Sequence, residues 1–432
     1  MRFDLLPPRR EVLKNGLRLI IVETPHLHYS FLAGFVAAGT LYEDNGCYGV
    51  SHFVEHLMMS ALENRGGDTA ANVIPGAVNA HTDLDCIVVW FSTMPERIPQ
   101  AAERLADVLR LRSFCGDFLE SERKLLLNEL NLSGDCDGLS SLLTTLFRPK
   151  RGSIVQIGNR KIIKRLPRDE INAFAHRALN PNNIVVVLCG PDSERVIESV
   201  REELSSLPLS DSTPLVRTAL HCRDLPFVGQ LFPKVHPASL SMGFVGRAIM
   251  DRRDELALQL LNESLSEPGS RLFASVRHGS HNSYYLQTGF FEVGKEFLFV
   301  VYGNFETNRH QALAAEVFEE LHRIRAGDLP RSWFDYARES RLFHLAGIMD
   351  APSFLAHYFG EYAIRHPDRP APNLQEDAST LENLGPADVS GALARNWSWD
   401  TTFLLHGGAV SWWRKRTELQ SLRRIIEKPH QG

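Results

Sequence analysis

The sequence predicts a chain of mixed strands and helices built as two copies of one domain. Three observations carry this: a hairpin signal that opens a run of strands, strand and helix periods that alternate along the chain, and a second half that echoes the first. At 432 residues the chain exceeds a usual single domain. Hydrophobic residues make up 44% and charged residues 23%, enough for two sizeable cores.

Asn15-Gly16 stands between two apolar-rich runs, a strong short-range hairpin signal. Residues 30–39 read as a buried strand, 42–49 as a loop and 49–59 as a helix. Residues 77–85 lead into a strand over 86–91, and their polar start suits a sheet edge. Ile98, Ala101, Leu105, Val108 and Leu109 recur at the helical spacing of three and four. Residues 118–130 are again helical. A helix over 171–179, a turn at Asn180-Pro181 and a continuous apolar strand over 184–190 follow, then a helix over 193–204. The segment 205–214, rich in Ser and Pro without an apolar period, marks a boundary between domains 1–205 and 215–432. Beyond it, Gly243 lines up with Gly34 at an offset of 209, and residues 401–407 with 184–190 at an offset of 217. Near-constant offsets across half a chain argue for internal duplication.

The chemistry concentrates in His52-Phe53-Val54-Glu55-His56. At 3.6 residues per turn, His52 and His56 share one helix face and can reach one ion, with Glu55 beside them. Two histidines at this spacing are by themselves commonly two part-exposed side chains. Here they sit among Phe53, Val54, Leu57 and Met58, and ionisable groups in such a setting must be satisfied. One metal ion satisfies them together. The run matches the inverted zincin pattern, which needs a third protein ligand. Glu129, flanked by Leu126, Leu127 and Leu130, is the candidate, and Glu122, two turns earlier on nearly the same face, can hold a ligating histidine in one tautomer. Residues 254–265 occupy the place of the metal helix in the second half and contain no histidine. One zinc per chain follows.

A net charge of -5, without basic runs interleaved with aromatics, disfavours nucleic acid as a partner. No apolar stretch reaches the length of a membrane span. The start of the chain carries an acid and two prolines where a signal peptide needs an apolar core, so the expectation is a soluble, cytoplasmic protein. Cys47, Cys86, Cys115, Cys136, Cys189 and Cys222 are widely spaced and form no Cys-x-x-Cys pair, which argues against a disulfide framework or a thiolate zinc site. Neither a phosphate-binding glycine loop nor a Gly-x-Ser-x-Gly elbow is present.

Taken together, His52-Phe53-Val54-Glu55-His56, Asn79-Ala80-His81-Thr82 and the stretch from Glu122 to Glu129 resemble the pitrilysin family of zinc metallopeptidases, which includes insulin-degrading enzyme and the mitochondrial processing peptidase. The resemblance implies an α+β fold of two duplicated domains, each a mainly antiparallel sheet with helices packed on one side. It implies His52, His56 and Glu129 as zinc ligands, Glu55 as general base and Glu122 behind a ligand. It places substrate as an added strand along Asn79, Ala80 and His81. At this length the chain resembles the short-subunit branch, in which two chains close around a peptide, as a homodimer or with a related degenerate subunit. Arg277 and Tyr284 resemble the family's substrate-holding pair, acting across the dimer, with Tyr285 a rival for Tyr284. Peptide hydrolysis, including removal of a leader or precursor segment, is the activity implied; the alternative is a non-catalytic or partner-dependent subunit that binds peptide without cutting it.

Overall fold

The computed structural model describes residues 7–427 apart from 45, 66–73, 112, 133–137, 150–157, 210–212, 232–238, 248–250, 267–269, 279–284, 295, 305–309 and 408–411. The first half contributes β1 (Arg9–Val12), β2 (Arg18–Glu23), β3 (Ser30–Val36), β4 (Gly76–Thr82), β5 (Ile87–Thr93), the short β6 (Phe147–Pro149) and β7 (Ile184–Gly190). The second contributes β8 (Leu220–Cys222), β9 (Phe227–Gln230), β10 (Ser239–Arg247), β11 (Tyr285–Val293), β12 (Glu296–Asn304) and β13 (Thr402–Gly407).

A two-stranded sheet pairs β6 with β8, and two larger sheets are ordered β1-β2-β7-β3-β5-β4 and β11-β12-β10-β13-β9. Both are antiparallel except for one parallel pair at the same place in each, β2 with β7 and β9 with β13. The shared order and the shared exception show the duplication. Between β1 and β2 the Asn15-Gly16 turn forms as expected, Gly16 taking φ +88°.

Each sheet packs its own helices on one face. In the first half Leu32 and Val36 of β3, Val89 of β5 and Val186 of β7 meet Phe53, Leu57, Leu105 and Ala175. In the second, Leu240, Met242 and Phe244 of β10 and Leu404 of β13 meet Leu260, Leu261, Val317 and Leu393. The opposite faces are also apolar, since β3 and β7 are buried along their whole length, and such faces require a cover. The cover is exchanged. Leu142, Leu143 and Leu146 of the first half's helix Gly138–Leu146 lie on Leu298, Val300 and Phe403 of the second sheet. Leu355, Phe359 and Ala363 of the second half's helix Pro352–Arg365 join Phe35, Val185 and Val187 of the first. Helices on one side therefore describes each half alone; within the chain each sheet is sandwiched.

The strand pairing corrects the sequence offsets. Gly34 stands opposite Val89 and Val186, and Gly243 opposite Val300 and Phe403, so the offsets of 209 and 217 agree with each other. Both nevertheless misplace a face. A Cβ on Gly34 would point at Leu105 in its own half's helical core, whereas Gly243 lies on the same side of its strand as Val245, toward the exchanged helix. Successive strand residues alternate faces, so the true equivalence requires even offsets.

The exchanged helix is tightly seated. A Cβ on Gly360 would stand 2.3 Å from the ring of Phe35, which is fully buried. Replacing glycine within a helix gains at most about 1 kcal/mol, and less for a β-branched residue, while overpacking a core costs about 1–3 kcal/mol. The clash wins: Gly360→Val is expected to lower stability by about 2 kcal/mol in urea unfolding, and a neutral or stabilising result would contradict this packing.

Candidate metal centre

The motif helix runs Val50–Arg65 and is buried on several sides because Val50, Phe53, Val54, Leu57 and Met58 all enter the core. Its start is capped from outside the helix: Glu43 Oε1 accepts the backbone N–H groups of Gly49 at 3.0 Å and Ser51 at 3.1 Å. Glu43 is 1% exposed, and burial pushes its carboxyl up to about 8 despite those donors. The folded protein thus binds this proton more tightly than the unfolded chain. The associated stability is full below the ordinary carboxylate pKa and is lost as pH rises toward 8. Glu43→Gln keeps the accepting oxygen and removes the titration. The variant is expected to gain on wild type by roughly 1 kcal/mol per pH unit between about pH 5 and 8; parallel stability curves for the two proteins would refute it.

One turn into the helix the donors converge. His52 Nε2 and His56 Nε2 are 3.2 Å apart. Glu129, on the helix Gly116–Leu132, brings Oε2 to 3.1 Å from His56 Nε2 and Oε1 to 3.7 Å from His52 Nε2. Donors held about 2.1 Å from a tetrahedral zinc lie about 3.4 Å from one another, so these separations fit one ion. Two imidazole nitrogens and a carboxylate are also the donor chemistry zinc takes. Glu122, 5% exposed, sets Oε2 3.7 Å from His56 Nδ1, behind the ring edge opposite Glu129. Beyond hydrogen-bond range at that distance, it still biases the ring to present Nε2.

Glu55 stands beside this group, with Oε2 3.6 Å from His52 Nε2. The ligand atoms of His52, Glu55 and His56 all lie within 4.8 Å of one another, so on distance alone Glu55 could also be a donor. Two features suit it to a different role. It accepts the Thr82 hydroxyl at 3.4 Å, which ties it to the edge strand. Its carboxyl is pushed up by burial, as suits a proton carrier; the charges of Glu129 and His56 act in opposite senses on it.

β4 is the edge of the first sheet, paired with β5 alone among the described strands. Asn79 Oδ1 accepts the N–H of Ala80 at 2.8 Å. Ala80 lies on the face packed toward the motif helix, as do Val78 and Thr82 by alternation. His81 points the other way, where it lies 3.5 Å from Asp83 and stacks on His357 of the exchanged helix. The side chain that reaches the metal group from this strand is therefore Thr82, and sequence reasoning quoted it without giving it a role. Arg123 was also missed. It is 8% exposed, donates to the carbonyls of Ile163 and Leu166 and lies 5.1 Å over the ring of Phe53, joining the two site helices. Its only signal was a basic residue inside a leucine-rich period. Arg277 falls in the helix Arg271–His278, with its side chain outside the described residues; Tyr284 and the side chain of Tyr285 are outside them too.

Comparison with known proteins agrees with the fold. Residues 18–151 match the family model described as Insulinase (Peptidase family M16), and residues 165–341 the model of the Peptidase M16 inactive domain. An uncharacterized zinc protease of Rickettsia bellii is 24% identical over 328 residues, covering 72% of this chain and 77% of its own. The beta subunit of the mitochondrial-processing peptidase of Saccharomyces cerevisiae is 22% identical over 390 residues, covering 84% and 83%. The crystal structure of a protease from Helicobacter pylori superposes with a TM-score of 0.79 at 18% identity, over 94% of this chain and all of that one. With two sheets of one topology, an inverted zincin helix in the first half alone and family matches across both halves, the chain belongs to the M16 peptidase family.

Proposed function

We propose that the chain is a zinc-dependent endopeptidase that takes its substrate as an extra strand. The observation that carries this is the convergence of His52 Nε2, His56 Nε2 and the Glu129 carboxylate within 3.1–3.7 Å, with Glu55 alongside. His52, His56 and Glu129 hold one zinc ion per chain, which when bound supplies Lewis acidity toward a carbonyl and lowers the pKa of water.

The chain's own groups do the rest. A peptide added to the open edge of β4 would meet the Ala80 N–H, which Asn79 now covers, and would run past Glu55. Glu55 takes a proton from the attacking water as its oxygen bonds to the scissile carbon. When the C–N bond breaks, the same carboxyl delivers that proton to the leaving nitrogen. Thr82 holds one Glu55 oxygen in place through its hydroxyl. Arg277 and Tyr284 or Tyr285 steady the substrate carbonyl from a second chain of the same fold, identical or degenerate; the beta-subunit naming of the mitochondrial-processing relatives supports such a partner. Main-chain recognition suits a precursor or leader peptide as well as general oligopeptides.

Digestion of a peptide library by the purified chain, alone and with any co-purifying partner, tests the proposal. Cleavage that stops with a chelator and returns with zinc is expected. A zinc-loaded protein that binds peptides and cuts none of them, with or without its partner, would establish the non-catalytic alternative.

A further inference from the structure

The strand that carries Thr82 is gripped from its other face by the second half of the chain. Among the described strands β4 pairs on one edge alone, so packing against its two faces does more to fix it than in a strand with ladders on both sides. Its last two residues face opposite ways. Thr82 stands opposite Ile87, which is buried with Phe53 and Leu57 of the motif helix. His81 stands opposite Val88, which is buried with Leu355 and Phe359 of the helix Pro352–Arg365.

On that far side His81 meets a held surface. Its ring stacks on His357, with centroids 5.4 Å apart and planes 28° from parallel. The His357 ring is itself fixed, because Nδ1 lies 3.3 Å from Glu361 Oε1 one turn along the helix and the buried rings of Phe35 and Phe31 lie 5.5 Å and 6.0 Å away. The same helix also reaches the turn that follows β4, where Arg365 Nε is 3.4 Å from Asp85 Oδ2. His357 therefore backs the end of β4 at the point where the Thr82 hydroxyl lies 3.4 Å from Glu55 Oε2. That contact is near the limit of a hydrogen bond, so a strand displaced by a few tenths of an ångström gives it up.

We propose that His357 is a positioning residue for the general base: its ring, stacked on His81, holds the end of β4 so that Thr82 keeps the Glu55 carboxyl aimed. The assignment rests on the peptidase reading above and deepens it, since it makes the second half a determinant of turnover within its own chain.

Steady-state kinetics on one cleaved peptide, with metal content, tests this in His357→Ala, His357→Phe, Thr82→Val and the double variant Thr82→Val/His357→Ala. His357→Ala is expected to lower kcat about fivefold, the scale of one lost aromatic pair, with KM and zinc content within about twofold of wild type. His357→Phe keeps a flat ring against His81 and should hold kcat within about twofold of wild type. In the Thr82→Val background His357→Ala should cost nothing further, because the contact it protects is already absent. An unchanged kcat in His357→Ala, an equal loss in both backgrounds, or a loss in His357→Phe as large as in His357→Ala overturns the proposal. Should His357→Ala not fold, His357→Leu, which fills the space without a ring, takes its place under the same criteria. Hydrogen exchange over residues 76–85 needs no cleavage. His357→Ala should exchange faster there than wild type and His357→Phe should not; equal protection in all of them overturns the proposal. A wild type that cuts no peptide refutes the peptidase reading, and the exchange result then decides by itself whether His357 holds the strand.

Discussion

Glu55→Gln is expected to retain about one zinc ion per chain and to lose roughly 10³-fold in kcat/KM on a cleaved peptide. The loss is that of a general base, typically 10²–10⁴-fold. Glutamine has nearly the same shape and keeps an oxygen that can accept the Thr82 hydroxyl, so the helix and the three donors stay where they are. What it cannot do is carry a proton between water and the leaving nitrogen. The measurement is metal content by atomic emission beside steady-state kinetics on one peptide. Activity within tenfold of wild type would remove Glu55 from the mechanism. Loss of zinc with the activity would instead make Glu55 a ligand, an arrangement that its 3.6 Å separation from His52 Nε2 leaves open on distance alone.

Much of this site was legible in the sequence because its parts are local. His52, Glu55 and His56 share one turn, and helical periodicity alone brings them together. Glu129 could be found from a distance because a carboxylate flanked by Leu126, Leu127 and Leu130 calls for a partner, and the histidine pair calls for a third ligand. What periodicity cannot report is the identity of the surface that a buried face meets. Leu355, Phe359 and Ala363 recur at four-residue spacing, so the helix Pro352–Arg365 has an evident apolar stripe. Nothing in that stripe says that it lies on the other half's sheet. The one-residue error in the repeat has a related cause. β3 and β7 are buried on both faces, so they lack the alternation that fixes strand parity, and matching small and apolar residues there can slip by one without penalty. Thr82 was overlooked because it belongs to an edge strand whose face assignment depends on pairing with β5.

His52→Ala should have the larger effect: zinc content below a tenth of an ion per chain and no cleavage detectable above background. His52 is 7% exposed and lies 3.2 Å from His56 Nε2, and its removal leaves two protein donors where catalytic zinc takes three. The same truncation leaves Glu55 and Glu129 facing each other with one less group to moderate them, although His56 still stands 3.1 Å from Glu129. Zinc should raise the melting temperature of wild type, because a ligand that binds only the folded state stabilises it by mass action, and should leave that of His52→Ala unmoved. Glu122→Gln provides the graded control. Its carboxylate touches no proposed donor position and acts through the orientation of His56, so zinc affinity should fall about 10–100-fold rather than vanish. The order of loss, His52→Ala beyond Glu122→Gln, therefore reads the geometry directly. A Glu122→Gln protein that loses zinc as completely as His52→Ala would place that carboxylate in the ligand shell and displace Glu129, whose side chain is 41% exposed, from it.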